Sequence, residues 1–229
     1  IKSGTRSAFN DEEWNTSSGN AAVKDNTERK DHWETVYRQK AVEETSWHQP
    51  SPEMSLTMIG QTAVSVETPI IDIGGGASFL ADHLLELGYR DVTVLDISRA
   101  ALEQARSRLG DRSEQLNWIE ADITRFRPAR QYGLWHDRAA FHFLTEAVDR
   151  QRYASVLEEA LEPGGQAIIA TFSPQGPKKC SGLDIVRYDA QKIGKTLGPA
   201  FRLLEQQADL HTTPAGREQR FNFFRILKI

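Results

Sequence analysis

The sequence predicts an α/β fold: a mostly parallel sheet with helices on both faces and an antiparallel hairpin at its C-terminal edge. Two observations predict it. Short apolar runs (PIIDI, VTVLD, LNWIEAD, YGLWHDRA and GGQAIIATF) alternate with helical segments of about ten residues, the order that builds parallel strands. The last two runs, FRLLEQQADL and QRFNFFRILKI, are separated only by HTTPAGRE, which is too short for a crossover helix and so makes them antiparallel neighbours.

Residues 1–26 are polar and poor in aliphatics, which reads as a mobile arm, with Trp14 as an exception that could dock. From residue 27 to 229 we expect one domain: lid helices over 27–66, then a core over 67–229. Trp33, Val36 and Tyr37 lie at helical spacing in a helix over 27–40. Pro52 suits the start of a second helix over 53–65. The first strand runs from Pro69 to Ile73, and residues 78–87 follow as a helix stopped by Gly88. Residues 92–96 form the second strand. Ser98 caps a helix over 98–109 that Gly110 ends. Strands at 116–122 and 132–139 follow, then a helix over 149–161, a fifth strand at 164–172, a weaker helix over 189–197, and the terminal strands at 201–210 and 219–229.

Composition narrows the function. Lys plus Arg number 28 and Asp plus Glu 32, a net charge of −4, which argues against non-specific binding to nucleic acid or anionic membrane. No apolar run reaches the length of a membrane span, about 18 residues. The single cysteine, Cys180, excludes an internal disulfide and a cysteine-rich metal site, and fits a reducing cytoplasm.

Chemistry concentrates where the first strand meets its helix, in Asp72-Ile73-Gly74-Gly75-Gly76-Ala77-Ser78. Glycines let the chain turn tightly and let a ligand approach the backbone; the alternative is a plain strand-to-helix turn. The dinucleotide fingerprint G-x-G-x-x-G fails, because Phe79 stands where its third glycine belongs. Asp72 would repel a phosphate and attract an ammonium group. Asp96, at the end of the second strand, is placed to accept from both hydroxyls of a ribose. Asp122 could accept from an adenine amino group, with Ile97 and Ile123 beside the ring. Asp137 ends the fourth strand. Each aspartate alone could be a turn or cap residue, but four of them fall on the carboxyl edge of one sheet, where open α/β sheets bind ligands.

In DIGGGAS, VTVLD, EADIT, LWHDRAAFHFL and LEPGGQAIIATF the sequence resembles the class I S-adenosylmethionine-dependent methyltransferases, over roughly residues 30–229. The resemblance implies a Rossmann-like seven-stranded sheet, S-adenosylmethionine as cofactor and S-adenosylhomocysteine as product. It places Gly74 and Gly76 by the methionine part of the cofactor with Asp72 nearby, Gly75 and Ser78 among the cofactor-binding residues, Asp96 on the ribose, Asp122 on the adenine and Asp137 in the methyl-transfer pocket. HWETVY, SWHQP and HDRAAFHFL look most like a bacterial branch of small enzymes, similar in outline to elongation-factor lysine methyltransferases and thiopurine-type methyltransferases. The elongation-factor group tends to carry D-K-G-T after the fourth strand; here the chain reads Asp137-Arg138-Ala139-Ala140.

The remaining candidates surround that edge. Trp33, Tyr37 and Trp47 could form an aromatic lid over a sulfonium, or only dock a helix. His48 and Gln49 could reach the carboxylate or ribose of the cofactor. His142, just past the fourth strand, could act as a general base, or pack between Phe141 and Phe143; His136 brackets Asp137 on the other side. Arg138 could bind an anionic substrate or pair with Asp137. Arg187 and Tyr188 could line the acceptor pocket, and Cys180 could contact substrate or be inert. No metal is expected, since the histidines and carboxylates lack metal-ligand spacing. The expected activity is methyl transfer to a nucleophilic N, O or S acceptor of unknown identity, small molecule or protein. A nicotinamide-dependent oxidoreductase and a non-catalytic cofactor-binding module are the alternatives.

Overall fold

The computed structural model describes residues 17–229, with side chains described from Thr27 onward. The expectations for residues 1–16, Trp14 included, lie outside the described residues. Helix α1 spans Ser17–Gln39, a 3-10 turn follows at Val42–Glu44, and α2 spans Glu53–Gln61. Then β1 (Ile70–Ile73), α3 (Leu80–Glu86), β2 (Val92–Asp96), α4 (Arg99–Leu109), β3 (Leu116–Glu120) and β4 (Tyr132–Arg138) alternate. Helix α5 (Ala147–Ala160), β5 (Leu161–Phe172), a small hairpin of β6 (Lys179–Cys180) and β7 (Leu183–Asp184), α6 (Ala190–Leu197), β8 (Phe201–Thr212) and β9 (Glu218–Lys228) complete the chain. The large sheet has seven strands in the order β3-β2-β1-β4-β5-β9-β8. It is parallel from β3 to β5, while β9 runs antiparallel to both β5 and β8.

The sheet is buried because apolar helices cover both faces. Trp135, Tyr153, Leu157 and Phe224 fill one side, and Met58, Leu84, Leu102 and Phe223 the other. A third, smaller cluster joins Tyr37 and Val42 to Ala77 and Ala101, with Trp33, Trp47 and Phe79 packed on it. This cluster seats α1 over the carboxyl edge of the sheet.

Several boundaries differ from the sequence reading. Helix α1 begins at Ser17, ten residues before the expected start. Helix α2 stops at Gln61, before Ala63 takes a positive φ of 55°. Helix α3 starts only at Leu80, because the glycine turn continues through Phe79. The β6–β7 hairpin was not anticipated. The capping expectations at α4 hold: the Ser98 hydroxyl accepts from Ala101 N, and Gly110 ends the helix with φ 57°.

Asp137 corrects an expectation. Its side chain does not open onto a pocket; it is 0% exposed. It accepts from Ala140 N (2.9 Å), Phe141 N (3.1 Å) and the Tyr153 hydroxyl (2.7 Å), and Tyr153 in turn accepts from Trp135 Nε1 (2.9 Å). Burial pushes its acid up to about 6 in spite of those donors. The carboxylate therefore fixes the turn after β4, where Ala139 holds a positive φ of 69°, and ties that turn to α5.

On the other side of the glycine turn, Arg108 of α4 donates to Ala77 O and Ser78 O and makes a bidentate pair with Asp82. Glu34 of α1 accepts from Arg99 N (2.6 Å) at the start of α4, where a carboxylate is favoured by the helix dipole.

Removing the Asp137 carboxylate strands buried donors, each worth about 1–3 kcal/mol when unsatisfied. Asp137→Ala should therefore lower unfolding free energy by about 3 kcal/mol or more, while Tyr153→Phe should lower it by about 1 kcal/mol. Denaturant unfolding of both variants measures this. An Asp137→Ala protein as stable as the parent would refute the structural role.

Candidate functional site

Two adjoining chambers lie over the carboxyl edge of the sheet and share Tyr37, Trp47, Ile73, Gly74 and Arg138 in their walls. The first extends over the ends of β2 and β3, past Asp96, Ile97, Asp122 and Ile123. The second lies over the glycine turn and is lined by Asp72, Gly75, Ser78, His48 and Gln49. Most of the residues singled out in the sequence thus come together; Gly76, Asp137 and His142 do not line either chamber.

The turn from β1 to α3 leaves no room for side chains. Gly74 has φ 66°, and a Cβ there would sit 2.7 Å from the Ala140 Cβ. A Cβ at Gly76 would sit 2.5 Å from Asp96 Oδ2 and 2.9 Å from the Ala101 Cβ. A methyl group at Gly75 would overlap the Asp72 carboxylate. The turn is thus wedged between the β4 turn and the two aspartates. Ser78 lines the second chamber, and its hydroxyl accepts from Leu80 N.

Asp72 is buried and shares Oδ1 with His136 Nδ1 at 2.7 Å, while His136 Nε2 lies 2.9 Å from the Ser55 hydroxyl. No local pattern points to this link, because Ser55 comes from α2 and meets His136 only across the fold. Asp96 is also buried. Its Oδ1 accepts from Ser98 N, and burial, together with the charge of Asp72, pushes its acid up to about 7. Asp122 holds Thr124 through N and Oγ1 with one oxygen and ion-pairs with Arg29 through the other, at 3.3 Å. Arg29 also binds Asp149. Arg29 lines the first chamber and was missed, since its helix gave no local signal for a partner more than ninety residues away.

The aromatic residues of the N-terminal segment close the first chamber. Trp33 meets Trp47 edge-on with centroids 5.7 Å apart and meets Phe143 at 4.9 Å. Arg138 reaches between the chambers and donates from Nη1 to Trp47 O at 3.0 Å. It does not pair with Asp137, which faces the opposite side of β4.

His142 corrects a second expectation. It is 0% exposed and packs against Phe143 and Phe172. Its Nδ1 lone pair already accepts from Phe172 N at 3.4 Å. Burial and the nearby Arg138 charge push it down to about 3, so it has little tendency to take a proton and no exposed lone pair with which to do so. Arg187 and Tyr188 also fall elsewhere: Arg187 donates to Pro174 O and Gly176 O, and Tyr188 is in the core. Cys180 is in the wall of the first chamber. Among the described residues, no three His, Cys, Asp or Glu side chains gather in a metal-binding group, and no helix is long and apolar enough to cross a membrane.

Comparison with known proteins fits this geometry. A family model described as "Methyltransferase domain" matches residues 70–165. The chain is 31% identical over 104 residues to a malonyl-[acyl-carrier protein] O-methyltransferase of Ilyobacter polytropus, a stretch covering 45% of this chain and 37% of that protein. It is 26% identical over 94 residues to the eEF1A lysine and N-terminal methyltransferase of Mus musculus, covering 41% of this chain and 13% of that one. The chain thus spans less than half the length of either relative. Its fold matches that of N-methyltransferase NodS from Bradyrhizobium japonicum, solved in complex with S-adenosyl-L-homocysteine, with a TM-score of 0.64 at 15% identity, over 85% of this chain and 97% of that one. Sheet order, glycine turn and the match over residues 70–165 together support a class I S-adenosylmethionine-dependent methyltransferase.

Proposed function

We propose that the protein transfers a methyl group from S-adenosylmethionine to a nucleophilic N, O or S atom of a small molecule or a protein side chain. One observation carries the reading: the glycine turn, packed so tightly that no Cβ fits at Gly74 or Gly76, lies between a chamber lined by Asp96 and Asp122 and a chamber lined by Asp72. The residues suit the cofactor. Asp96 presents a carboxylate for the ribose hydroxyls, with Ile97 and Ile123 as apolar walls for the adenine. Asp72, held by His136, offers a negative charge for the methionine ammonium. Asp122 would meet the adenine amino group from a position already shared with Arg29.

When bound, the cofactor supplies an electrophilic methyl group on a sulfonium. The chain's own contribution is alignment and a dry cavity. Trp33, Tyr37 and Trp47 exclude water, and an aromatic face near the sulfonium adds an attraction of about 1 kcal/mol. The segment 27–66 acts as a lid on the core. The relatives' names point to two acceptor classes, an acyl group on a carrier protein and protein amines. A reducing cytoplasm suits the free Cys180.

Calorimetric titration with S-adenosylhomocysteine, with NADH in parallel, tests the reading: the first should bind and the second should not. Binding should also depend on pH. In the free protein the Asp96 acid is raised to about 7, so below that pH it must lose its proton to accept fully from the ribose. Affinity should fall by up to about tenfold per pH unit below 7, with proton release seen as a buffer-dependent heat. Asp96→Asn should bind more weakly and lose this pH dependence. An affinity constant from pH 6 to 8 would remove Asp96 from the ribose site. Gly74→Ala should lower affinity by about tenfold or more, because the methyl group meets Ala140 at a positive φ; an unchanged affinity would place the ligand elsewhere.

A further inference from the structure

Arg138 stands in the wall that the two chambers share. Half of its guanidinium is committed. Nη1 donates to Trp47 O at 3.0 Å, and Cζ lies 5.0 Å from the centre of the Phe221 ring. The other half is not: Nε and Nη2 are both buried and have no hydrogen-bond partner. Of the carboxylates around the chambers, Asp72 pairs with His136 and Asp122 with Arg29, while Asp209 acts on Arg138 by its charge without an ion pair to it.

Nε and Nη2 form one edge of the guanidinium, with two parallel N–H groups spaced to meet the two oxygens of a carboxylate. Leaving such an edge dry and unpaired is unfavourable, and burial pushes the group down to about 10. A bound anion would relieve this. On this side the charge of Asp209, opposite Phe221 on β8, acts on Arg138 without a hydrogen bond or ion pair to it. Phe143 and Trp47 are apolar, the Cys180 thiol is pushed up to about 11 by burial, and His142 behind the wall is spent on Phe172 N.

We propose that the Nε–Nη2 edge of Arg138 binds a carboxylate of the methyl acceptor, so that the acceptor is a carboxylic acid that arrives ionised. The proposal rests on the methyltransferase reading above. A second carboxylate, on the methionine part of the cofactor, shares this chemistry. Position favours the acceptor. Phe221 and Cys180 belong to β9 and β6, and in the sheet β9 lies on the opposite side of β4 from β1 and β2, which carry Asp72 and Asp96.

The test uses the full chain loaded with S-adenosylhomocysteine and titrated with phenylacetate and with phenylacetamide, which share the aromatic body that the walls suit and differ in charge. The parent should prefer the carboxylate by about thirtyfold or more. Arg138→Met should lose that preference and Arg138→Lys should keep part of it, while both bind S-adenosylhomocysteine within about threefold of the parent, which also shows that they fold. Equal binding of the two probes by the parent overturns the proposal, as does a preference that survives Arg138→Met. A fall of about tenfold or more in S-adenosylhomocysteine affinity in Arg138→Met also overturns it, assigning the cation to the cofactor's own carboxylate. A parent that fails the first titration, before any probe is added, refutes the underlying methyltransferase reading instead.

Discussion

The buried carboxylate of Asp137 sets the shape of the binding edge. By accepting from Ala140 N and Phe141 N it winds the chain into a tight turn directly after β4, and through Tyr153 it anchors that turn to α5. Ala140 then presses on the place where a Gly74 side chain would be. The glycine turn, in contact with Asp96 on its other flank, has no freedom left. A charged group is an expensive way to hold a turn, because it must be removed from water. It is also directional. An apolar side chain at 137 could fill the same volume without dictating where two backbone N–H groups point.

Local signals made much of the fold legible. The apolar runs of β1, β2 and β4, the Ser98 cap and the Gly110 stop all act within a few residues, so the sequence carries them openly. The antiparallel edge followed from a linker too short for a helix. What stayed hidden was tertiary. The link from Asp72 through His136 to Ser55, and the pairing of Arg29 with Asp122, join residues far apart in the chain.

Asp137 and His142 were misassigned for a different reason. In a strand buried on both faces there is no alternation of polar and apolar residues to show which side chain points which way. Position at the end of β4 placed Asp137 at the right edge but not on a face. Asp137 and Arg138 are successive residues, so the pleat sends them to opposite sides, one into the α5 core and the other to the chambers. For His142, sequence distance from the edge resembled spatial proximity, yet a short turn at Phe141–Phe143 carries its ring down between phenylalanines.

The attachment of α1 has a kinetic consequence. Glu34 holds the start of α4, Arg29 holds Asp122 and Asp149, and Lys30 pairs with Glu120 at the end of β3. The helix that covers the ligand chambers is therefore fastened largely by polar contacts, beside a small aromatic cluster. Such a segment opens at a lower free energy than the core it covers. If α1 serves as a lid, a ligand beneath it would enter and leave at the rate the helix lifts, and its residence time would depend on these ionic ties as well as on its own contacts. Because the partly exposed ties weaken as salt screens them, ionic strength acts on exchange even where it leaves the buried contacts of the ligand unchanged.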